Sequence, residues 1–370
     1  MRKVSLYRFF VIEALFSCFQ GLVHPVTPTI FKALCFPDYV FGIVSASTAT
    51  GMFIFSPLWG KLGDRLGHSR AFSIALPIYA VSQIAFGFSK TPIMAIVTRF
   101  FSGMSGGGAM VTALAYIVNA TTDENRGRIM SYYAAFNAVS ISLGYFIGGV
   151  VGNISIPAVF AIQAVALCSA SLFTVILIKD NEVKEYSYIE TTSLNVFSGI
   201  GDKLSKSLII MLVTTFLTSI AATSFDNSFN YFIKADLNLP STYNGVIKAI
   251  TGLVGLTANF TINIYLIRNT NLKKSIIVIL MLCALFSATT PFLSNISMFF
   301  LCSLIYYMFN SIYVPIQQVL VMDNADEKTS GIISGVFNSV KSMGMIFGSL
   351  SVGFLYSINS KIPFVITGLS

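Results

Sequence analysis

Long apolar runs follow one another along the whole chain, each broken by a short polar or charged stretch. A helix that crosses a bilayer needs about 20 mostly apolar residues. Runs of that kind begin near Leu6, Tyr39, Phe72, Ile93, Ile129, Pro157, Leu208, Tyr243, Ser275, Ser297 and Ile332, so the pattern predicts eleven spans. A twelfth run opens at Pro363, and Ser370 follows seven residues later. At 1.5 Å per residue that stub is only about 10 Å long, a third of a crossing, so the expectation is a last helix cut short. One long polar stretch stands out, with Lys179, Asp180, Glu182, Lys184, Glu185, Glu190, Asp202 and Lys203. It predicts a cytoplasmic linker over 179–206, between a bundle of six helices over 1–178 and a second bundle over 207–370.

The two halves repeat each other. Pro37 with Gly42-Ile43-Val44 returns as Pro240 with Gly245-Val246-Ile247, an offset of 203. Asp123-Glu124 with Ile129 and Ser131 returns as Asp326-Glu327 with Ile332 and Ser334, again at 203. Ile156-Pro157 returns as Ile362-Pro363 at 206. Several pairs in order at nearly one offset point to duplication of a six-span unit.

Composition agrees with a polytopic membrane protein: 55% of residues are hydrophobic, 10% are charged, and mean hydropathy is +0.77. A soluble domain carries roughly 25% charged residues. The net charge of +8 is scattered between apolar runs, which argues against a nucleic-acid partner. Of the 23 Lys and Arg, Lys32, Lys90, Lys234 and Lys361 fall on one side, and Arg8, Arg99, Lys248 and Lys341 fall within spans. The other 15 share a side with Met1, which predicts a cytoplasmic N-terminus. Met1-Arg2-Lys3 before an apolar run resembles a signal peptide. Glu13 interrupts the run and no small-residue cleavage site follows, so a retained first span is expected. Five cysteines and two histidines show no metal spacing, so no metal or cofactor is expected.

The second and third spans are joined by Trp59-Gly60-Lys61-Leu62-Gly63-Asp64-Arg65-Leu66-Gly67-His68-Ser69-Arg70. It reads as a charged turn at the membrane face, its glycines allowing reversal and close helix approach. A plain positive loop accounts for Lys61, Arg65 and Arg70 but not for the spacing of Gly60, Gly63, Asp64 and Gly67. The pattern Gly-x-Leu-x-Asp-Arg-x-Gly-x-x-Arg resembles the signature between helices 2 and 3 of the major facilitator superfamily. The corresponding turn of the second half, Leu266-x-Arg268-Asn269, lacks it. The resemblance implies two six-helix bundles, a parallel repeat about an axis along the membrane normal, rocking about a central site. It also implies a cytoplasmic gate in which Asp64 meets the start of the eleventh helix, with Arg126 and Arg128 close by.

Polar residues within spans are the candidate chemistry. Glu13, Ser17, Gln20, His24 and Thr27 step by four, three, four and three residues along one face of the first span. Either they line a cavity on the substrate and proton pathway, or they form a packed polar seam with Glu13 facing Arg8. Gly21, Pro25 and Pro28 are expected to loosen the outer part of this helix. The seventh span carries Thr215, Ser219, Thr223, Asp226 and Asn230 on one face, with Asp226 either in the pathway or at the interface. Asn310 with Gln317, and Asn338 with Lys341, are further polar groups at membrane depth, and Lys248 is expected to snorkel outward. Tyr145, Phe229, Tyr231, Tyr306 and Tyr307 are candidate pathway aromatics. Asp323, Asp326 and Glu327 suit the positive end of the eleventh helix.

Two further motifs belong to the same resemblance. Arg99-x3-Gly103 resembles the family's Arg-x-x-x-Gly motif, whose arginine is linked to proton movement; the alternative is an arginine satisfied by backbone carbonyls. Gly103 and Gly106-Gly107-Gly108 lie inside a span with no preceding strand, so helix packing rather than a nucleotide loop is expected. Ser140-x3-Gly144-Tyr145-x2-Gly148-Gly149 resembles the antiporter motif, departing from it at Ser140 and Tyr145; packing by Gly144, Gly148 and Gly149 is expected either way. The resemblance implies a monomeric transporter of a small organic solute in a bacterial cytoplasmic membrane, with protons as coupling partner. Proton-linked efflux leads, uptake by proton symport or facilitated transport follows, and a transporter-like sensor is the rival from another class. No nucleophile–base pair suggests an enzyme.

Overall fold

A computed structural model describes residues 2–121, 123–178, 205–323 and 330–369, and among them every regular element is helical. The first span is α1 (Arg2–Gly21), followed by a 3-10 turn His24–Val26 and α2 (Thr27–Ala33). Pro25 and Pro28 lack the amide hydrogens that an unbroken helix needs, so the chain changes register here. Then come α3 (Asp38–Leu66), α4 (His68–Gly87), α5 (Pro92–Asn119), α6 (Asp123–Ile154) and α7 (Ile156–Leu177). After the linker, which lies outside the described residues from 179 to 204, run α8 (Lys206–Ala235) and α9 (Ser241–Ala258). A π-helical segment Asn259–Asn263, not foreseen from the sequence, joins α9 to α10 (Ile264–Asn269). The remaining helices are α11 (Leu272–Thr289), α12 (Ile296–Met322), α13 (Ser330–Ile358) and α14 (Ile362–Leu369).

Among the described residues, nine helices are long and apolar enough to cross a membrane. The other two expected spans, α4 and α13, are helices of 20 and 29 residues. In α4 the polar residues Ser69, Ser73, Ser82 and Gln83 are buried, so its lower hydropathy reflects groups facing protein rather than lipid. Helix starts follow local chemistry. Thr91 accepts from the Met94 amide at 3.3 Å ahead of Pro92, and Asn295 from the Ser297 amide at 2.9 Å.

The charged Trp59–Arg70 stretch is not a turn, which corrects the sequence expectation. α3 continues through Leu66, and Gly67 alone breaks the path to α4, at φ 97°. That left-handed backbone suits glycine and strains other residues. Gly60, Gly63, Asp64 and Arg65 therefore stand on the last turns of α3.

The chain folds as two compact bodies. One holds the described residues of Met1–Tyr186 and Asn230–Gly252, the other those of Ser187–Phe229 and Leu253–Ser370. In the first body, α3 packs on α5 with Gly103 against the backbone of Thr48 and Gly107 against Met52. α1 packs on α6 in the same way, with Gly144 on the backbone of Cys18 and Gly148 on that of Leu22. The last turns of α8 and the start of α9 join this body through polar ties. Tyr231 Oη donates to Asp38 at 2.6 Å, Lys32 Nζ lies 5.3 Å from the centre of the Tyr231 ring, and Ser241 Oγ donates to the Gly149 carbonyl at 3.2 Å. Gly149 lies against the backbone of Gly245.

The second body has an aromatic interior. Phe225 stacks on Tyr306 at 3.7 Å between ring centres, Phe229 on Phe299 at 5.8 Å, and Phe364 of α14 meets Phe225 edge-on at 5.4 Å. Phe229, Tyr306 and Tyr307, three of the candidate pathway aromatics, are buried in this interior.

Candidate functional site

The polar face of α1 is distributed among several partners. Glu13, 1% exposed, accepts at Oε1 from Ser17 Oγ at 2.8 Å and from Asn137 Nδ2 of α6 at 3.0 Å. Arg8 is exposed and is not the partner of Glu13. Gln20 reaches the Met110 sulfur of α5 at 3.7 Å. The His24 ring lies 5.2 Å from that of Tyr145, and its carbonyl accepts from Asn230 Nδ2 at 3.3 Å. Thr27 accepts from Arg99 Nη2 at 2.9 Å. The stripe thus meets partners on α5, α6 and the outer turns of α8.

Arg99 is 5% exposed and lies 3.9 Å from the centre of the Phe86 ring. Its partners are a threonine hydroxyl and an aromatic face, not the backbone carbonyls of the alternative. Lys248 does not snorkel. It is buried, with Nζ 5.8 Å from the centre of the Tyr145 ring, because the start of α9 belongs to the first body.

On α8, Asp226 is half-buried and accepts from Tyr307 Oη at 2.9 Å. Thr218 and Gln317 exchange hydrogen bonds at 3.2 and 3.3 Å. Asn230 is buried and bonded to the Asn244 amide. Asn310 and Lys341 are half-buried on α12 and α13. The structure therefore unites Glu13 with Ser17, and His24 with Asn230, within the first body. Asp226, Asn310 and Lys341 belong to the second.

At the end of α3, Asp64 lies 3.4 Å from His68 Nε2, its side chain 74% exposed. The carboxylate meets a side chain on the first turn of the next helix. Gly63 leaves room for the His68 ring, whereas a Cβ at Gly60 would meet only Val111 Cγ1, at an ordinary contact distance of 3.9 Å. Arg65 and Arg70 are exposed. The side chains of Arg126, Arg128, Asp326 and Glu327 lie outside the described residues.

Sequence reasoning missed Asn137, Tyr133 and Gln163. Gln163 Nε2 donates to the Phe19 carbonyl at 2.7 Å where α1 loosens. Amides inside the apolar runs of the fifth and sixth spans were the available signal.

Helices of membrane length that bury a carboxylate, an arginine and a lysine define a polytopic integral membrane protein built for transport rather than anchoring. The chain belongs to the Major Facilitator Superfamily, whose model matches residues 9–349. It is 26% identical to Multidrug resistance protein 1 of Bacillus subtilis (strain 168), over 98% of this chain and 93% of that protein. It is 23% identical to Multidrug resistance protein 2 of the same organism, over 94% and 88%. A crystal structure of a mutant nucleoside transporter NupG superposes with a TM-score of 0.80 at 16% identity, over 98% of this chain and 96% of that one. That likeness shows the fold alone.

Proposed function

We propose that this superfamily transporter is a monomeric secondary exporter of a small organic solute, driven by inward proton movement through a bacterial cytoplasmic membrane. Two six-helix halves, 1–178 and 207–370, rock about a central pathway and expose it alternately to each side. The observation that carries the reading is Glu13, a carboxyl 1% exposed in the first span with donors on one oxygen only. An intramembrane carboxyl is costly and marks a proton relay more readily than a packing group. The relatives named for multidrug resistance support export of an organic solute. The 15-to-4 distribution of basic residues supports a cytoplasmic N-terminus. The test is a panel of organic solutes in proteoliposomes with and without an imposed pH gradient. Gradient-dependent movement against a solute gradient is expected; equal movement with and without the gradient for every transported solute would overturn it.

Proton symport is the second reading, favoured by one observation. Tyr145 stands where the antiporter motif has proline, and α6 runs unbroken from Asp123 to Ile154. The direction of solute flux in the same vesicles separates the two.

Asp64 is proposed as a cytoplasmic latch. Its exposed contact with His68 is worth about 0–1 kcal/mol at most. Asp64→Asn should therefore leave the melting temperature unchanged while shifting the population toward cytoplasm-open. Spectroscopic distances across the cytoplasmic face check this, and identical distance distributions in mutant and wild type would remove the role.

A further inference from the structure

The Glu13 carboxyl is bonded asymmetrically. Oε1 accepts from Ser17 Oγ at 2.8 Å and from Asn137 Nδ2 at 3.0 Å, and Asn137 Nδ2 also lies 3.0 Å from Ser17 Oγ. The asparagine amide carries two hydrogens, one for each contact, while the serine hydroxyl spends its own hydrogen on Oε1. The triangle closes with every donor used. With Glu13 ionised, the reverse placement of the amide would set its oxygen against Oε1, so the charged form calls for this orientation. Oε2 is buried and has no hydrogen-bond partner.

A carboxylate spreads its charge over both oxygens, and a buried oxygen without a donor is expensive. A proton on Oε2 cancels the charge and leaves Oε1 as a carbonyl that still accepts both bonds. We propose that Asn137 is the positioning residue of this carboxyl: with Ser17 it holds Oε1 and leaves Oε2 as the one oxygen that carries the transported proton. The assignment rests on Glu13 being the proton carrier proposed above.

The backbone supports the same division of labour. Asn137, Gly144 and Gly148 are seven and four residues apart, so they share the face of α6 that meets α1. Gly144 and Gly148 rest on the backbone of Cys18 and Leu22, which sets the helix separation. Asn137 then reaches Glu13 without any other element moving. Tyr133, one turn earlier, also turns its hydroxyl toward the carboxyl as a hydrogen-bonding neighbour, but it does not come within bonding distance of Oε2. Tyrosines on the other helices of this bundle are engaged elsewhere: Tyr116 of α5 with Ser5 at 2.9 Å, and Tyr79 of α4 with Gln83 at 2.7 Å. From α7, Gln163 binds the Phe19 carbonyl.

The test is infrared difference spectroscopy of the full chain in lipid, titrated with pH and without substrate. The protonated-carboxyl stretch removed by Glu13→Gln identifies Glu13. In Asn137→Leu, similar in size, the band should change frequency because its carbonyl loses a donor. Its half-maximum should move about one pH unit to the alkaline side, since a donor to the charged form is lost. Asn137→Ala decides alone should Asn137→Leu not fold. A purely structural asparagine would lower the yield of folded protein and leave band and midpoint in place, and that result in a folded variant overturns the assignment. A wild-type spectrum with no band removed by Glu13→Gln sinks the carrier role of Glu13 instead, a separate failure.

Discussion

Gly144→Ala should melt well below the wild type and reach the membrane in low yield, although one methyl group is added. A Cβ at this position would fall on the carbonyl oxygen of Cys18, and lie 2.8 Å from its carbon and 3.2 Å from its Cα. Those atoms are backbone, so no rotamer change relieves the clash and α1 itself must move. Alanine favours an isolated helix over glycine by about 1 kcal/mol. Overpacking a deformable core already costs about 1–3 kcal/mol, and here the yielding part is a helix also held by Gly148 against Leu22. Gly60→Ala is the control, because the nearest atom to its new Cβ is Val111 Cγ1 at 3.9 Å. Thermal melts of the two purified variants decide; equal melting temperatures would show that α1 and α6 are not in backbone contact.

The spans were legible because a bilayer imposes one length on every helix, and apolar runs of that length leave a plain trace. Pro25, Pro28 and Gly21 announced the break after α1 because the missing amide hydrogens are a property of the residue itself. The end of α3 was misread for the opposite reason. Gly60, Gly63 and Gly67 look alike in sequence, yet Gly67 alone takes a left-handed φ, and the first two remain in the helix. Charge in that stretch marks where α3 leaves the apolar run, not where it stops being a helix.

The candidate site was half legible. Spacing by three and four residues placed Glu13 and Ser17 together, because that relation lies within one helix. Their third partner, Asn137, is 124 residues from Glu13 and became visible only when α6 packed on α1. Lys248 shows the same limit. Its position within the eighth span suggested an outward reach, but the ties of Tyr231 to Asp38 and of Ser241 to Gly149 draw the start of α9 into the first body. The lysine then lies over Tyr145, at the position where the antiporter pattern has proline.

Glu13→Gln should abolish gradient-driven accumulation while leaving exchange of solute across the membrane near the wild-type rate. Glutamine matches the size of the protonated acid and can still accept from Ser17 and Asn137 through its carbonyl oxygen, so the seam between α1 and α6 is kept. It cannot bind or release a proton. Each pH unit across the membrane is worth about 1.4 kcal/mol per proton, or about tenfold in solute ratio at one proton per solute. That factor should fall to one in the variant. Exchange needs the bundles to rock but no net proton transfer, so it isolates the coupling step from folding and binding. Accumulation at the normal ratio in Glu13→Gln would make Glu13 a structural member of the seam, and Asp226, half-buried and bonded by Tyr307, would be tested next as Asp226→Asn. Uphill transport surviving both substitutions would refute coupling through these carboxyls. Loss of the pH-driven component in the wild type itself would make a facilitator the better description.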